Sequence, residues 1–234
     1  MIGRKGRATK SKTRILLVDD HPLFRQGVAD VLKRCLNCQV CGEADDAPHA
    51  MAAIKATKPD MAIVDMSLGQ TSGLDLIEQI KVHHPKLPVL VLSMHDETLY
   101  AERALRAGAR GYVMKGKPAQ DIMTAIRRVL AGEIYLSDSM SRRLLEGIAS
   151  GTSGATRSIL QTLSNRELEV FELIGQGHGT RDIAGMLHLS VKTIETNREN
   201  IKRKLHLSNA IELHQRAFLW VQHLPADKKQ TASR

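Results

Sequence analysis

Asp65 is the residue whose surroundings most suggest a reaction. It closes the run Met61-Ala62-Ile63-Val64, in which strand-forming apolar residues stop at a carboxylate. A short apolar run in an α/β chain reads as a buried parallel strand. A carboxylate at its C-terminal end stands in the crevice beyond the strand tips, where open α/β sheets keep their chemistry. Asp19-Asp20, Ser93 and Lys115 end three further candidate strands. Clustered carboxylates repel one another and want a hard divalent cation, and oxygen ligands with retained waters suit Mg²⁺. Asp65 can then attack phosphorus as a carboxylate nucleophile. Lys115 offers a point charge to a phosphoryl oxygen, and the Ser93 hydroxyl can donate to another. Any one of these residues reads equally well as a solvated loop residue. The five together point to phosphoryl acceptance at Asp65.

Five strand–helix units must position these residues. Strands are expected at 15–18, 39–44, 61–64, 89–93 and 111–114. Helices are expected at 21–34, 48–56, 74–82, 97–107 and 119–131, with Gly108 and Gly132 as C-terminal caps. Leu23, Val28, Val31 and Leu32 are core candidates of the first helix. Alternation of this kind predicts a doubly wound, five-stranded parallel sheet.

From Ser137 the alternation stops. A short helix is expected at 139–148, followed by the Ser/Gly/Thr-rich stretch 150–156, which reads as a flexible linker. Ser164 with Glu167 three residues on makes a capping box. Further helices are expected from Thr180, from Ser190 and from Ser208, the last reaching Val221. Ile183, Ala184 and Leu187 share one face, as do Ile194, Ile201 and Leu205. The opposite face of the helix after Ser190 carries Lys192, Thr193, Glu195, Thr196, Glu199, Lys202 and Arg203. Helix-turn-helix proteins lay such a face in the major groove. Threonine methyls suit thymine, glutamate accepts from cytosine, and Lys/Arg neutralise phosphate. The same face also reads as a solvated charged surface.

The formal charge is +9, carried by a basic arm at 1–13 and by the last hundred residues, while the body between is neutral. Basic ends are compatible with nucleic acid, and equally with a solvated tail. No apolar run approaches the ~20 residues of a membrane span, and Gly3 to Lys12 is polar and basic rather than a signal peptide. A cytoplasmic protein without a membrane partner is expected. Cys35, Cys38 and Cys41 have metal-site spacing but no fourth cysteine, so free thiols in a reducing compartment are the favoured reading.

On Asp19-Asp20, Asp65, Ser93 and Lys115, residues 14–132 resemble the flavodoxin-like receiver domain of a two-component response regulator. The resemblance implies an acid pair, a phosphorylated Asp65, a hydroxyl switch at Ser93 and a phosphate-binding Lys115. It also implies that the Ser67 backbone carbonyl completes the metal shell, and that Tyr112 is the aromatic switch residue, although a packed strand tyrosine is as good a reading. Two departures stand out. Gly69 occupies a position where the family usually has proline, so the loop 69–73 is expected to be more mobile. Gly116 and Lys117 separate Lys115 from Pro118, where several receivers place proline at once.

Residues 163–213 are similar to the LuxR-type helix-turn-helix of the NarL/FixJ response regulators. The matching stretches are L-S-N-R-E-L-E-V at 163–170, Gly175 and Gly177 ahead of Ile183-Ala184, S-V-K-T-I-E-T at 190–196 and I-K-R-K-L at 201–205. The expected plan is therefore an arm at 1–13, a receiver at 14–132, a linker with a short helix at 133–160, an all-α four-helix DNA-binding domain at 161–224 and a tail at 225–234. The resemblance implies that the last helix, with Ile211, Leu213, Ala217 and Leu219 to Val221, pairs across a two-fold axis. Closure of the small domain's own core is the other reading.

The combined expectation is a phosphorylation-switched transcription regulator rather than an enzyme. A histidine kinase would phosphorylate Asp65 with Mg²⁺, and a homodimer would bind an inverted repeat in double-stranded DNA. An aspartyl-phosphate phosphatase would want a second Asp two residues after Asp65, where Ser67 stands. The alternative is a phosphorylation-independent LuxR-type regulator with a structural receiver domain.

Overall fold

The computed structural model describes residues 12–34, 37–69, 71–149 and 162–222, without the side chain of residue 148. Most of the basic arm, Cys35, the Ser/Gly/Thr-rich linker and the tail lie outside these residues. The chain divides into two compact units, to Glu146 and from Gly147.

The first unit begins with β1 (Thr13–Val18), α1 (Pro22–Lys33), β2 (Cys38–Ala44), α2 (Ala47–Thr57) and β3 (Met61–Val64). A small hairpin follows, β4 (Ser67–Leu68) and β5 (Thr71–Ser72), and then α3 (Gly73–His83). The unit continues with β6 (Val89–Ser93), α4 (Glu97–Ala107), β7 (Gly111–Met114), α5 (Ala119–Leu130) and the start of α6 (Asp138–Ala149). The five long strands pair in parallel in the order β2-β1-β3-β6-β7. Residues 15–18, 61–64 and 89–93 are buried throughout, which is why these runs read as apolar, broken only by Ser93 at the last strand's end. From β1 the chain runs to β2 on one side and then crosses back to β3 on the other. The tips of β1 and β3 thus form the switch point at which such sheets bind ligands.

Several details differ from the expectations. Leu23 is 91% exposed rather than in the core. The buried stripe of α1 runs through Val28, Ala29 and Leu32. Phe24, one turn before Val28, lies on that stripe, and Leu23 falls beside it. The segment after Gly132, expected to be linker, packs on the sheet. Tyr135 accepts from the N–H of Tyr112 and donates to the carbonyl of Arg110, and Leu136 and Met140 are buried. Cys38 is buried in the core cluster that holds Val28, Ala29 and Leu32 of α1. Cys41 is the extra residue where the β1–β2 register shifts, and its thiol meets Thr57 Oγ1 at 3.6 Å.

The second unit holds α7 (Asn165–Gly175), α8 (Thr180–Met186), α9 (Val191–Lys204) and α10 (Ala210–Gln222). Phe171, Ile174, Ile183, Ile194, Ile201 and Leu213 are buried at its centre. Turns after α8 and α9 place His188 and His206 at φ 52° and 54°. In each, the next N–H reaches back five residues (Leu189 to Ala184, Leu207 to Lys202), which closes the helix end. Asn209, not Ser208, caps α10: its Oδ1 accepts from the N–H of Glu212 at 3.0 Å. The glutamate returns to Ser208 N–H at 2.8 Å. On α10, Leu213 and Ala217 face inward while Ile211, Phe218 and Leu219 are more than half exposed. Among the described residues no helix is long and apolar enough to cross a membrane.

The capping box at the head of α7 is joined to α9. Ser164 Oγ accepts from the N–H of Glu167, and Glu167 Oε2 accepts from Ser164 N–H and from Lys204 Nζ, both at 2.6 Å. Burial opposes the charge of Glu167, yet Lys204 and the Ser164 N–H outweigh it and hold the carboxyl below its usual range. A depressed carboxyl stabilises the fold above its unfolded value, and that contribution is lost as pH falls through the folded value. Glu167→Gln is expected to destabilise the second unit at pH 7 by about 1–3 kcal/mol, since it weakens a charge-assisted bond to Lys204. The variant should also lose less stability than the parent below about pH 4. Urea titrations at both pH values, followed by circular dichroism, read both effects.

Candidate functional site: an acid pocket and an exposed helix

Asp19 and Asp65 stand at the tips of the adjacent strands β1 and β3. The N–H of Asp19 donates to Ala44 O at 3.0 Å and the N–H of Asp65 to Val18 O at 2.8 Å, so the parallel ladder itself places both carboxylates. Lys115 follows β7, two strands from β3, and its own N–H donates to Ser93 O at 2.7 Å. A long side chain is therefore needed to reach the acids across roughly 10 Å of sheet. Lys115 Nζ lies 2.7 Å from Asp19 Oδ2 and 2.7 Å from Asp65 Oδ2, with all three side chains almost wholly buried. Burial pushes the Asp65 carboxyl above its usual range; Lys115 pulls it back only in part.

Asp20 is turned to the same place from the start of the β1–α1 loop. Ligand atoms of Asp19, Asp20, His21 and Asp65 all lie within 4.8 Å of one another. Asp20 Oδ2 accepts from Gly69 N–H at 2.9 Å. Among the described residues Asp20 Oδ1 is buried and accepts no hydrogen bond, although His21 Nδ1 lies 2.7 Å away. Three carboxylates with an unsatisfied buried oxygen are a donor set that suits a hard divalent cation. His21, adjacent to the acid pair, was not among the expected site residues. Its N–H donates to Asp19 Oδ1 at 2.8 Å.

The loop after Asp65 is a hairpin, with Ser67 opposite Ser72 and Leu68 opposite Thr71. Gly69 turns it at φ +55°. Proline at this position would have neither that φ nor the N–H that Asp20 accepts. The departure expected to loosen the loop thus serves a tight turn tied to the acid pair. Gly73 closes the hairpin. A Cβ there would sit 1.9 Å from the Asp65 carbonyl oxygen.

Ser93 is buried at the end of β6, and its Oγ accepts from His95 N–H at 3.2 Å. His95 was also unforeseen. Its Nε2 lies 2.9 Å from Ser67 Oγ, and its ring packs on Tyr100 at 4.6 Å between centroids. Tyr112 is already fully buried, with its hydroxyl donating to His95 O at 2.8 Å. One loop thus touches the hairpin beside Asp65, Ser93 and Tyr112 together. Beyond it, Asp96 caps α4 and Glu97 accepts from Ser137, whose Oγ also receives Met140 N–H at the head of α6.

On α9, Lys192, Glu195, Thr196, Glu199 and Arg203 are exposed. They fall on one stripe at about 100° per residue. Lys202 is half-buried at its edge and pairs with Glu199 at 2.8 Å. Thr193 stands off the stripe, its hydroxyl 2.8 Å from that of the capping Ser190. The Thr196 hydroxyl donates to Lys192 O at 3.0 Å. Val191, exposed at the first helical position, is an apolar neighbour not anticipated.

The receiver-domain family of response regulators matches residues 15–127, and the luxR family of bacterial regulatory proteins matches residues 161–217. The chain is 33% identical over 204 residues to the oxygen regulatory protein NreC of Staphylococcus carnosus (strain TM300), covering 86% of this chain and 94% of NreC. RcsB from Salmonella enterica serovar Typhimurium, solved bound to promoter P1flhDC with the phosphomimetic BeF3-, aligns with TM-score 0.59 and 30% identity over 88% of this chain and 98% of RcsB. A two-component response regulator of the LuxR family from Aurantimonas sp. SI85-9A1 aligns with TM-score 0.56 and 32% identity over 59% of this chain and 99% of its own. With the acid pocket in one unit and the exposed helix stripe in the other, the chain belongs to the NarL/FixJ family of response regulators, a receiver domain followed by a LuxR-type helix-turn-helix domain.

Proposed function

We propose that this cytoplasmic chain is a phosphorylation-dependent DNA-binding transcription regulator, with Asp65 as the acceptor of a phosphoryl group from a histidine kinase. The observation that carries the reading is the buried triad of Asp19, Asp65 and Lys115 beside the unsatisfied Asp20 Oδ1. Asp19, Asp20 and Asp65, with the Ser67 backbone carbonyl, would hold one Mg²⁺, which neutralises the carboxylates and the phosphoryl oxygens when bound. An Asp65 oxygen forms a bond to phosphorus as the donor's P–N bond breaks, and the leaving imidazole takes a proton. Lys115 gives an N–H to one phosphoryl oxygen and the Ser93 hydroxyl to another.

Drawing Ser93 towards Asp65 moves the loop that bonds Ser67 and Tyr112. Because Tyr112 is already inward, its part is to keep His95 in place or release it rather than to swing from the surface. Glu97 and Ser137 carry the same displacement to the head of α6. The outcome is a shifted equilibrium towards a homodimer that presents two α9 stripes to an inverted repeat in double-stranded DNA. Lys192, Lys202 and Arg203 serve phosphate or guanine, and Thr193, Thr196, Glu195 and Glu199 the remaining contacts.

The test is to incubate the chain with Mg²⁺ and a small phosphodonor, and to follow intact mass and light-scattering mass. One phosphoryl adduct with a shift from monomer to dimer is expected. Without an adduct, under conditions that label a control receiver, the phosphorylation-independent regulator takes its place.

A further inference from the structure

We propose that Phe24 is a positioning residue for Lys115, holding its ammonium against a ring face at the acid pocket. The inference rests on the phosphoacceptor reading of Asp65 and deepens it.

Lys115 Nζ stands 4.3 Å from the centroid of the Phe24 ring. Its two other close partners are the carboxylates of Asp19 and Asp65, at 2.7 Å each, and its side chain is only 3% exposed. A buried ammonium has three N–H bonds to satisfy. Two meet anions, and the negative face of an aromatic ring stabilises the remaining side of the cation. Phe24 can do this because α1 is anchored at the same point. The neighbouring Arg25 donates to the Asp19 carbonyl oxygen and pairs with Glu43 of β2 at 3.0 Å. Phe24, Val28, Ile63 and Leu92 also line the small apolar space beneath Asp19 and Asp65, so the ring acts where little water screens it.

The ring face differs from the carboxylates in one way that matters. It attracts the ammonium without competing for a phosphoryl oxygen. With the Asp19 carboxylate engaged by a divalent cation, Lys115 would lose an anionic partner, and its flexible four-carbon stem would let Nζ shift. Phe24 then keeps Nζ on the Asp65 side, where the phosphoryl oxygen must find it. The competing account is plain packing, because Phe24 also lies against the core of α1, α5 and the sheet. Packing needs an apolar side chain of the right size; positioning needs a ring with a negative face.

Full-length chains carrying Phe24→Leu, Phe24→Tyr or ring-fluorinated phenylalanines at position 24 separate the two. Two readings are taken. The first, with no phosphodonor, is the ring-current shift of the Lys115 side-chain protons by NMR. It should be upfield in the parent and in Phe24→Tyr, and absent in Phe24→Leu. The second is the rate of Asp65 labelling by a small phosphodonor with Mg²⁺. It should fall about tenfold in Phe24→Leu, stay within about twofold in Phe24→Tyr, and decline stepwise as fluorination weakens the ring face while thermal midpoints stay level. Equal labelling in parent and Phe24→Leu overturns the proposal, as does a Phe24→Tyr as slow as Phe24→Leu or a rate indifferent to fluorination. Should the parent itself take no label, the phosphoacceptor reading fails. The ring-current arm then decides the placement of Lys115 alone, and a parent without the upfield shift overturns it.

Discussion

Asp65→Asn is expected to abolish phosphoryl labelling and, at the same time, to raise the thermal midpoint of the first unit. The first effect follows from the loss of the nucleophilic oxygen: the amide cannot form the acyl phosphate, so no adduct should appear in the intact mass. The second follows from burial. The Asp65 carboxyl is held above its usual range because desolvation outweighs Lys115. An acid whose folded value is raised binds more protons when folded than when unfolded, over the pH interval between the two values. Stability therefore falls as pH rises from the ordinary aspartate value of about 3.9 upward through the folded value. At pH values above the folded one and without divalent cation, ionised Asp65 weakens the fold, and the asparagine removes that penalty. Differential scanning calorimetry of both chains reads the sign. Millimolar Mg²⁺ should stabilise the parent by mass action and the variant much less. A lower midpoint in the variant would mean that Lys115 and Asp65 attract more than burial costs them.

Gly73→Ala is expected to be the most damaging single-methyl change in the receiver. The new Cβ would lie 1.9 Å from the Asp65 carbonyl oxygen and 2.8 Å from Met66 Cα, both backbone atoms that cannot rotate away. Relief requires moving the hairpin or the head of α3, whose cap Ser72 accepts from Leu74 N–H at 3.2 Å. Overpacking of this kind costs about 3 kcal/mol. That is a fall of roughly 10 °C in thermal midpoint for a unit of this size. Function should suffer more than stability. The displaced peptide carries Asp65 itself, and a shift on the order of 1 Å can slow an oriented reaction about a hundredfold. Calorimetry and labelling rate measured on the same sample separate the two. A folded variant that labels at the parental rate would show that the hairpin yields without moving Asp65.

The elements themselves were legible along the chain because their signals are local. Runs of four or five buried residues at 15–18, 61–64 and 89–93 announce inner parallel strands. Ser164 with Glu167, and Ser190 before Val191, announce helix starts. The acids and the lysine could be named because each ends a strand, and parallel strands in one sheet bring their ends to one rim.

Other features depend on partners distant in sequence. Gly69 reads as a loosening of the loop until Asp20, 49 residues earlier, is found accepting its N–H. Leu23 and Phe24 are equally apolar in sequence. Only the docking of α1 on the sheet sends one to solvent and the other to Lys115. Ser208 and Asn209 are both good caps, and the choice fell to Asn209 because its oxygen meets the N–H of Glu212. His95 carries no local mark at all; Ser67, Ser93, Tyr100 and Tyr112 converge on it through the sheet.

The sequence by itself thus determined the alternation of elements, the family and the acid, hydroxyl and lysine groups at the strand ends, since period and residue type are properties of neighbours along the chain. The tertiary structure decided the hairpin beside Asp65, the inward Tyr112, the His95 crossing and the ring under Lys115, since each is a contact whose energy exists only once separate strands and helices have packed.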